Sequence, residues 1–224
     1  MNYIFRNAVL EYAAGGKATA LVAQLEHLRE AYPPQVQLAL MNLLSTHDAA
    51  RALDQFGYHD GSKDTAAIAR AKQRLLLAVF LQMTHPGAPT IYYGDEVGVT
   101  GGDDPFNRGT YPWADLGGAP DTALLARFKQ LTQMRHDHAV LRRGSSLAPL
   151  HVDEHVVAFA REYKGAWAIN AINNAATAQS VTVTLPAGAK AGYRDALSGA
   201  THDAKDGRLT LTIPPLFGSA LISR

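Results

Sequence analysis

The sequence contains no cysteine and no long apolar run. Without cysteine the chain forms no disulfide and no thiolate metal site, and it suits the cytoplasm and the periplasm equally. No stretch approaches 18 continuous apolar residues, and the amino terminus lacks the charged-then-apolar pattern of a secretory signal. We therefore expect a soluble chain with no membrane partner, in a compartment that the sequence leaves open.

An excess of charge of either sign is also absent. Lysine and arginine number 21 and aspartate and glutamate 20, and the largest basic cluster is Arg142-Arg143. A nucleic-acid surface needs a basic patch or stripe, so a nucleic-acid partner is excluded. With 47% hydrophobic residues in 224, the chain can bury one or two ordinary cores.

The segment from Asn42 to Arg51 reads Asn-Leu-Leu-Ser-Thr-His-Asp-Ala-Ala-Arg and ends an apolar run that begins at Leu38. This pattern predicts a buried strand that reaches the surface at His47 and Asp48. In a parallel α/β barrel, side chains at the carboxyl ends of strands face the active-site mouth. Alternatively, Asp48 is a turn residue that caps a following helix over residues 49–53.

A second β-branched and aromatic segment, residues 88–98, ends in an acidic, glycine-rich loop. It reads Ala-Pro-Thr-Ile-Tyr-Tyr-Gly-Asp-Glu-Val-Gly and continues through Asp103-Asp104-Pro105-Phe106-Asn107-Arg108 to Trp113. The two predicted strand ends lie about fifty residues apart, the spacing of successive β/α units. We expect both loops at the same edge of one parallel sheet.

These two motifs resemble the α-amylase family of glycoside hydrolases, most closely its neopullulanase, cyclomaltodextrinase and maltogenic amylase branch. There, a seventh-strand Asn-Leu-Leu-x-x-His-Asp-x-x-Arg precedes an eighth-strand Pro-x-Ile-Tyr-Tyr-Gly-Asp-Glu-x-Gly. Residues 1–10 are similar to the end of the sixth strand and the helix after it. The resemblance implies that residues 1–143 are the last three β/α units, strands six to eight, of a (β/α)8 TIM barrel whose first five strands are absent.

Helix signals agree with this division. Leucines at helical spacing predict a helix from about Thr19 to Tyr32, which Pro33-Pro34 ends. Asp64 is expected to cap a long helix through Gln82, and Asp121 a last one with an apolar stripe. Near the end of that last helix, His136 and His138 are expected to be solvated, so neither a metal nor a cofactor is predicted.

Residues 144–224 change to period-two alternation, which predicts an antiparallel β-sandwich. It resembles the small β domain that follows the barrel in the α-amylase family. Its aromatic residues are expected in the core, with a sugar platform as the alternative: Phe159, Tyr163, Trp167, Tyr193 and Phe217. The predicted strands cover residues 156–160, 166–172, 181–185, 209–213 and 220–222.

The resemblance also assigns site residues. It makes Asp48 the carboxylate that stabilises the transition state by binding sugar hydroxyls at the cleavage subsite, and His47 a ligand of the same sugar. Asp104 and Arg108 would hold the next glucose toward the non-reducing end, or form a salt bridge that supports their loop. Where much of the branch has Cys-Arg-Arg or Cys-Arg-Lys, this chain has Asn107-Arg108-Gly109, so linkage specificity stays open.

Retaining glycosidases need a nucleophile and a general acid, two carboxyl groups about 5 to 5.5 Å apart. The family supplies them from strands four and five, so this chain is expected to be inactive alone. A catalytic pair of Asp48 with Asp95 or Glu96 is the less favoured option, because Asp95 and Glu96 are interpreted mainly as structural residues.

The leading interpretation is the carboxyl-terminal part of an α-glucan hydrolase acting on starch, maltooligosaccharides, cyclodextrins or pullulan. The alternative is a catalytically silent carbohydrate-binding or assembly fragment. Open strand edges predict either the missing amino-terminal barrel half or self-association as partner.

Overall fold

Two short parallel strands and seven helices make up residues 1–143 of the computed structural model, which describes residues 1–224. Strand β1 (Met41–Leu43) pairs in parallel with β2 (Ala88–Thr90), and helices form the crossover between them. The helices are α1 (Tyr3–Ala13), α2 (Ala18–Ala31), α3 (Pro34–Ala39), α4 (Ala52–Gln55), α5 (Thr65–Thr84), α6 (Thr122–Asp137) and α7 (Ala139–Arg143). None of them combines the length and the apolar character that crossing a membrane requires.

The predicted helix starts are confirmed by side-chain caps. The Asp64 carboxylate accepts hydrogen bonds from the N–H groups of Ala66 and Ala67, at 2.9 and 3.0 Å. Asp121 accepts one from the N–H of Leu124 at 2.9 Å. Each cap satisfies N–H groups that a first helical turn leaves free, so α5 and α6 begin where the sequence placed them.

The apolar run before the first motif is only partly strand. After Pro33-Pro34 the sequence predicts a short helix or turn that leads into the strand, and the structure has a helix there. Leu38 lies in helix α3, and β1 covers only three residues. Pro34 occupies the first turn of α3, where a missing N–H costs nothing and a fixed φ favours the helix. Local backbone preference therefore determines the structure of residues 34–39.

The second predicted strand is likewise shorter than its sequence pattern. Strand β2 ends at Thr90, and Tyr92 and Tyr93 lie beyond it. Their rings lie 4.5 and 5.0 Å from the guanidinium carbon of Arg51, so their aromatic character serves this stacking rather than a strand. Gly94, with a φ of 88°, turns the chain directly afterwards.

Residues 145–223 form two antiparallel layers, as predicted. Six strands pair in the order β3-β4-β5-β10-β7-β8, and β6 pairs with β9 in the second layer. Alternate residues of β6 and β9, such as Val183 and Leu211, are buried against the larger sheet, and Trp167 and Tyr193 of that sheet belong to the same core. The strands are β3 (Ser145–Val152), β4 (Val156–Tyr163), β5 (Ala166–Asn173), β6 (Gln179–Thr184), β7 (Gly192–Asp195), β8 (Thr201–Asp203), β9 (Arg208–Ile213) and β10 (Phe217–Ser223).

The other face of the six-stranded sheet packs on the helices of residues 1–143. Phe159 and Ile172 belong to the same buried cluster as residues of α1, α2 and α5. Tyr12 of α1 donates its hydroxyl to the carbonyl oxygens of His155 and Ile172, at 2.6 and 3.1 Å. Buried Arg161 of β4 donates to the carbonyl oxygen of Thr84 at 3.1 Å. The division at residue 143/144 into two domains stays a prediction, because one core continues across it.

Candidate active site

The loops that follow β1 and β2 meet at one edge of the parallel pair. The turn 46–49 follows β1, and a long loop with three short 3₁₀ turns follows β2. Asp48 does not cap the next helix, because α4 begins at Ala52, whose N–H is bound by the hydroxyl of Ser45 at 2.9 Å. The N–H of Asp48 instead donates to Thr46 Oγ1 at 2.9 Å. Its carboxylate is thus left for other partners.

Both oxygens of the Asp48 carboxylate have one protein partner each. His47 Nε2 lies 3.2 Å from Oδ1, and the hydroxyl of Tyr3 donates to Oδ2 at 3.2 Å. The side chains of Asp48 and His47 remain 52% and 56% exposed, so each can also contact a ligand. A carboxylate can accept about four hydrogen bonds, so these two contacts leave acceptor capacity on Asp48.

Asp104 and Arg108 lie beside this pair. Arg108 Nε is 2.8 Å from Asp104 Oδ1 and also donates to the backbone carbonyl of His47 at 3.3 Å. The predicted salt bridge therefore exists, and half of each side chain is still exposed. Together, His47, Asp48, Asp104 and Arg108 form one surface, which we call the strand-end face. All four residues selected from the sequence come together on it.

A buried arginine holds the strand-end face in place from below. Arg51 is fully buried; its Nε donates to the carbonyl oxygen of Asn107 at 3.0 Å and its Nη1 to that of Tyr93 at 2.8 Å. Nη1 also pairs with Asp95 Oδ1 at 3.1 Å. Burial raises the pKa of the Asp95 carboxyl to about 6, against the lowering effects of a hydrogen bond from Ser45 and of the Arg51 charge.

Asn107 links the two loops. Its side chain is buried, and its Nδ2 donates to the carbonyl oxygens of Ala49 and Thr46, at 3.1 and 3.4 Å. Close by, a Cβ on Gly101 would lie 2.3 Å from the carbonyl oxygen of Phe106, so only glycine fits there. The backbone that carries Asp104 and Arg108 is thereby fixed against the turn that carries Asp48.

Sequence reasoning gave no role to three of these residues. Arg51 was visible as the last position of the first motif, and Asn107 as a departure from the family pattern. Tyr3 gave no signal, because its partner Asp48 lies 45 residues away in the sequence. Each acts through contacts between distant segments, which local patterns do not reveal.

Neither Asp95 nor Glu96 presents a free carboxylate to Asp48. Asp95 is 5% exposed and paired with Arg51, so it is not available to attack a sugar. Glu96 belongs to the 3₁₀ turn Asp95–Val97, which packs against α6, and one of its oxygens is enclosed without a partner. No group of three or more histidine or acidic side chains is arranged to hold a metal ion. The burial and pairing of Asp95 and the enclosed oxygen of Glu96 do not favour either carboxylate as the partner of Asp48.

Comparison with known proteins agrees with this geometry. The model of the alpha amylase catalytic domain matches residues 1–138. An amylopullulanase of Thermoanaerobacter thermohydrosulfuricus is 36% identical over 250 residues, which cover 100% of this chain and 17% of the relative. Neopullulanase 2 of Thermoactinomyces vulgaris is 34% identical over 99% of this chain and 36% of its own length. The chain thus spans well under half of each relative.

Solved structures show the same fold. An α-amylase from Geobacillus thermoleovorans, complexed with acarbose, superposes with a TM-score of 0.82 over 100% of this chain and 47% of that one. At 24% sequence identity this likeness concerns the fold alone. The match to the catalytic-domain model covers more than half of the residues, and both curated relatives align over essentially the whole chain. The chain belongs to the α-amylase family of glycoside hydrolases.

Proposed function

We propose that this chain supplies the sugar-binding carboxyl-terminal part of an α-glucan hydrolase. In this proposal Asp48 stabilises the transition state, and the nucleophile and the general acid come from barrel strands outside this chain. The observation that carries the proposal is the strand-end face, where a half-exposed carboxylate, an imidazole and an aspartate–arginine pair lie side by side.

The position of Asp48 suits the chemistry of glycoside cleavage. Positive charge develops on the sugar ring in the oxocarbenium-like transition state, and hydrogen bonds to the 2-hydroxyl then strengthen. A carboxylate oriented by Tyr3 and His47 presents its free lone pairs without further reorganisation. Asp48 would therefore act on the transition state more than on the bound ground state.

Asp104 and Arg108 suit a different task. They contact each other and, through the carbonyl of His47, the turn that holds Asp48, so a sugar bound to them would adjoin the one at Asp48. Contacts one sugar away from the reacting bond supply binding that is equal in the ground and transition states. We propose that this pair holds the neighbouring glucose of an α-glucan.

Titration of the chain with acarbose, the ligand of the Geobacillus structure, tests the proposal. We expect binding by the wild type and a loss of about tenfold in Asp48→Asn, since one hydrogen bond to a charged group is worth about 1.5 kcal/mol or more. His136→Ala is the matched control, because this exposed histidine lies on α6. Equal affinity in wild type and Asp48→Asn would contradict the assignment.

Hydrolysis by the isolated chain is the second test. We expect no reducing sugar from maltooligosaccharides, cyclodextrins or pullulan, because retaining cleavage needs two carboxyl groups about 5 to 5.5 Å apart. Turnover that persists through purification and disappears in Asp48→Asn would refute this expectation.

In a complex reconstituted with the preceding strands, Asp48→Asn should lower kcat and kcat/KM together by about two orders of magnitude. Arg108→Ala should mainly raise KM. Equal losses of kcat in both variants would place the loop around Arg108 at the reacting centre.

The missing barrel strands are the proposed partner. Ile4, Met41 and Ile91 are each more than a third exposed although they lie in or beside the parallel pair. Size-exclusion chromatography with light scattering should show self-association of the chain alone and a defined complex with the preceding strands. The same exposed residues fit a catalytically silent assembly fragment; a complex that binds acarbose and hydrolyses no glucan would favour that alternative.

A further inference from the structure

A cavity of about 260 Å³ lies where the helices of residues 1–143 meet the sandwich. Arg29 of α2, part of α3 and the four residues 143–146, which join α7 to β3, line this junction cavity. Pro86, which precedes β2, lines it as well. The strand-end face follows the parallel strands and shares no residue with the junction cavity. The cavity is therefore a separate site.

The lining of the junction cavity carries positive charge and no carboxylate. Arg143 ends α7, is exposed and forms no ion pair. Arg29 pairs with Glu26 Oε2 through Nε and Nη2, at 2.7 and 2.6 Å, and its Nη1 has no partner in the protein. The hydroxyls of Ser145 and Ser146 also line the cavity. Two guanidinium groups and two hydroxyls thus offer hydrogen-bond donors to one enclosed space.

A buried cation lies directly behind this lining. Arg161 of β4 is fully buried, and its Nη2 donates to the carbonyl oxygen of Gly144, a lining residue, at 2.5 Å. Its recorded partners are carbonyl oxygens alone, and its Nε is enclosed without a partner. Burial, together with the charge of Arg135, lowers the pKa of Arg161 to about 9, so it stays protonated at neutral pH. A third positive charge therefore acts on the cavity, and no carboxylate compensates it.

This set of donors suits a phosphate group. A guanidinium presents its N–H groups in a planar fork that matches two oxygens of a phosphate. A phosphate monoester carries close to two negative charges at neutral pH and three free oxygens, enough to occupy both arginines and a hydroxyl together. A carboxylate has one charge and two oxygens, which would leave one of the two arginines without a partner.

We propose that the junction cavity binds a phosphate group, of inorganic phosphate or of a small phosphate monoester, between Arg29 and Arg143. The bound group joins α2 to the connection between α7 and β3, and so links the helices to the sandwich. Binding therefore stabilises the fold. This site is independent of glucan binding and goes beyond the proposed function.

Thermal unfolding and calorimetric titration of the whole chain with inorganic phosphate test the proposal. Phosphate at ten times its dissociation constant should raise Tm by about 3 to 6 °C relative to sodium chloride of equal ionic strength. Arg143→Gln should weaken phosphate binding about tenfold or more, because it removes charge-assisted hydrogen bonds. Arg208→Gln is the matched control, since exposed Arg208 begins β9 in the smaller layer of the sandwich.

The pair of Arg29 and Glu26 gives a sharper comparison. Arg29→Gln should weaken phosphate binding like Arg143→Gln, whereas Glu26→Gln should bind phosphate at least as tightly as the wild type. The second change releases the Arg29 guanidinium and removes a negative charge from its side. A purely structural pair predicts equal losses in both variants, and that result would refute the role of Arg29.

Glycerol 1-phosphate distinguishes the two sources of the phosphate group. Tighter binding than that of inorganic phosphate assigns the site to a monoester, and equal or weaker binding assigns it to inorganic phosphate. If sodium chloride raises Tm as much as phosphate does, or if Arg143→Gln binds phosphate like Arg208→Gln, the inference is refuted. Acarbose affinity should be unchanged in Arg143→Gln, so failure of this inference leaves the proposed function intact.

Discussion

The buried pair of Asp95 and Arg51 leads to a prediction that depends on pH. Asp95→Asn removes a carboxylate that is 5% exposed and replaces it with a neutral group of the same shape. Burial raises the pKa of Asp95 from 3.8 to about 6. Ionised Asp95 is therefore less favourable in the folded chain than in the unfolded one, even with Arg51 at 3.1 Å.

The sign of the effect follows from proton binding. Between pH 4 and 6 the folded state holds a proton on Asp95 that the unfolded state has lost, so this group stabilises the fold at low pH and its contribution disappears as the pH rises through about 6. At about 1.4 kcal/mol for each pKa unit, the full change is about 3 kcal/mol. Asparagine does not titrate, so the variant should match the wild type at pH 4 and exceed its free energy of unfolding by up to about 3 kcal/mol at pH 7.

Urea denaturation at pH 4, 5, 6 and 7, followed by circular dichroism, measures this difference. Other carboxyl groups titrate in both proteins, so their effects cancel in the comparison. Arg51→Met should act in the opposite direction at pH 7, costing about 1 to 3 kcal/mol, because it removes the donors to the carbonyl oxygens of Asn107 and Tyr93 and raises the pKa of Asp95 further, so that the carboxyl is buried in its protonated form. In an Asp95→Asn background the same change should cost less. A variant Asp95→Asn that is less stable than the wild type by the same amount at every pH would refute the reasoning.

Three further changes probe the strand-end face. Gly101→Ala places a Cβ 2.3 Å from the carbonyl oxygen of Phe106 and should displace the loop, lowering acarbose affinity about tenfold in calorimetry; unchanged affinity would mean that the loop tolerates the shift. Asn107→Ala removes two hydrogen bonds from a buried side chain and should lower the free energy of unfolding in urea by about 1 to 3 kcal/mol, whereas a neutral effect would exclude a linking role. Tyr3→Phe removes the hydroxyl that Asp48 accepts and should weaken acarbose binding about fivefold, with an unchanged circular dichroism spectrum; full affinity would show that Tyr3 does not orient the carboxylate.

The sequence predicted those features that depend on local chemistry or on regular spacing. Asp64 and Asp121 cap helices through neighbours two or three residues away, which a short motif reveals. The carboxyl ends of parallel strands meet at one edge, so the spacing of the two motifs indicated that their loops would meet there, and Arg108 does contact the carbonyl oxygen of His47. The longer strands of the sandwich were predicted from the regular alternation of apolar and polar residues along them.

Features that depend on distant contacts were missed. Arg51 reaches partners 42 to 56 residues away, and nothing in its immediate neighbours indicates that they will enclose it. The strands β7 and β8 have four and three residues, too few for an alternation to show. Strand β3 contains Pro149 and two register irregularities, which obscure the period of two. Tertiary packing decides these cases.

One buried core continues across residue 144 and joins the sandwich to the helices. Tyr12 of α1 bonds to the turn before β4 and to β5, and Arg161 of β4 bonds to the end of α5. Removal of residues 144–224 would therefore uncover apolar side chains of α1 and α5. The sandwich therefore covers one side of the helical layer. Its loss should also displace Tyr3, which α1 carries, and so disturb the contact of Tyr3 with Asp48 on the strand-end face.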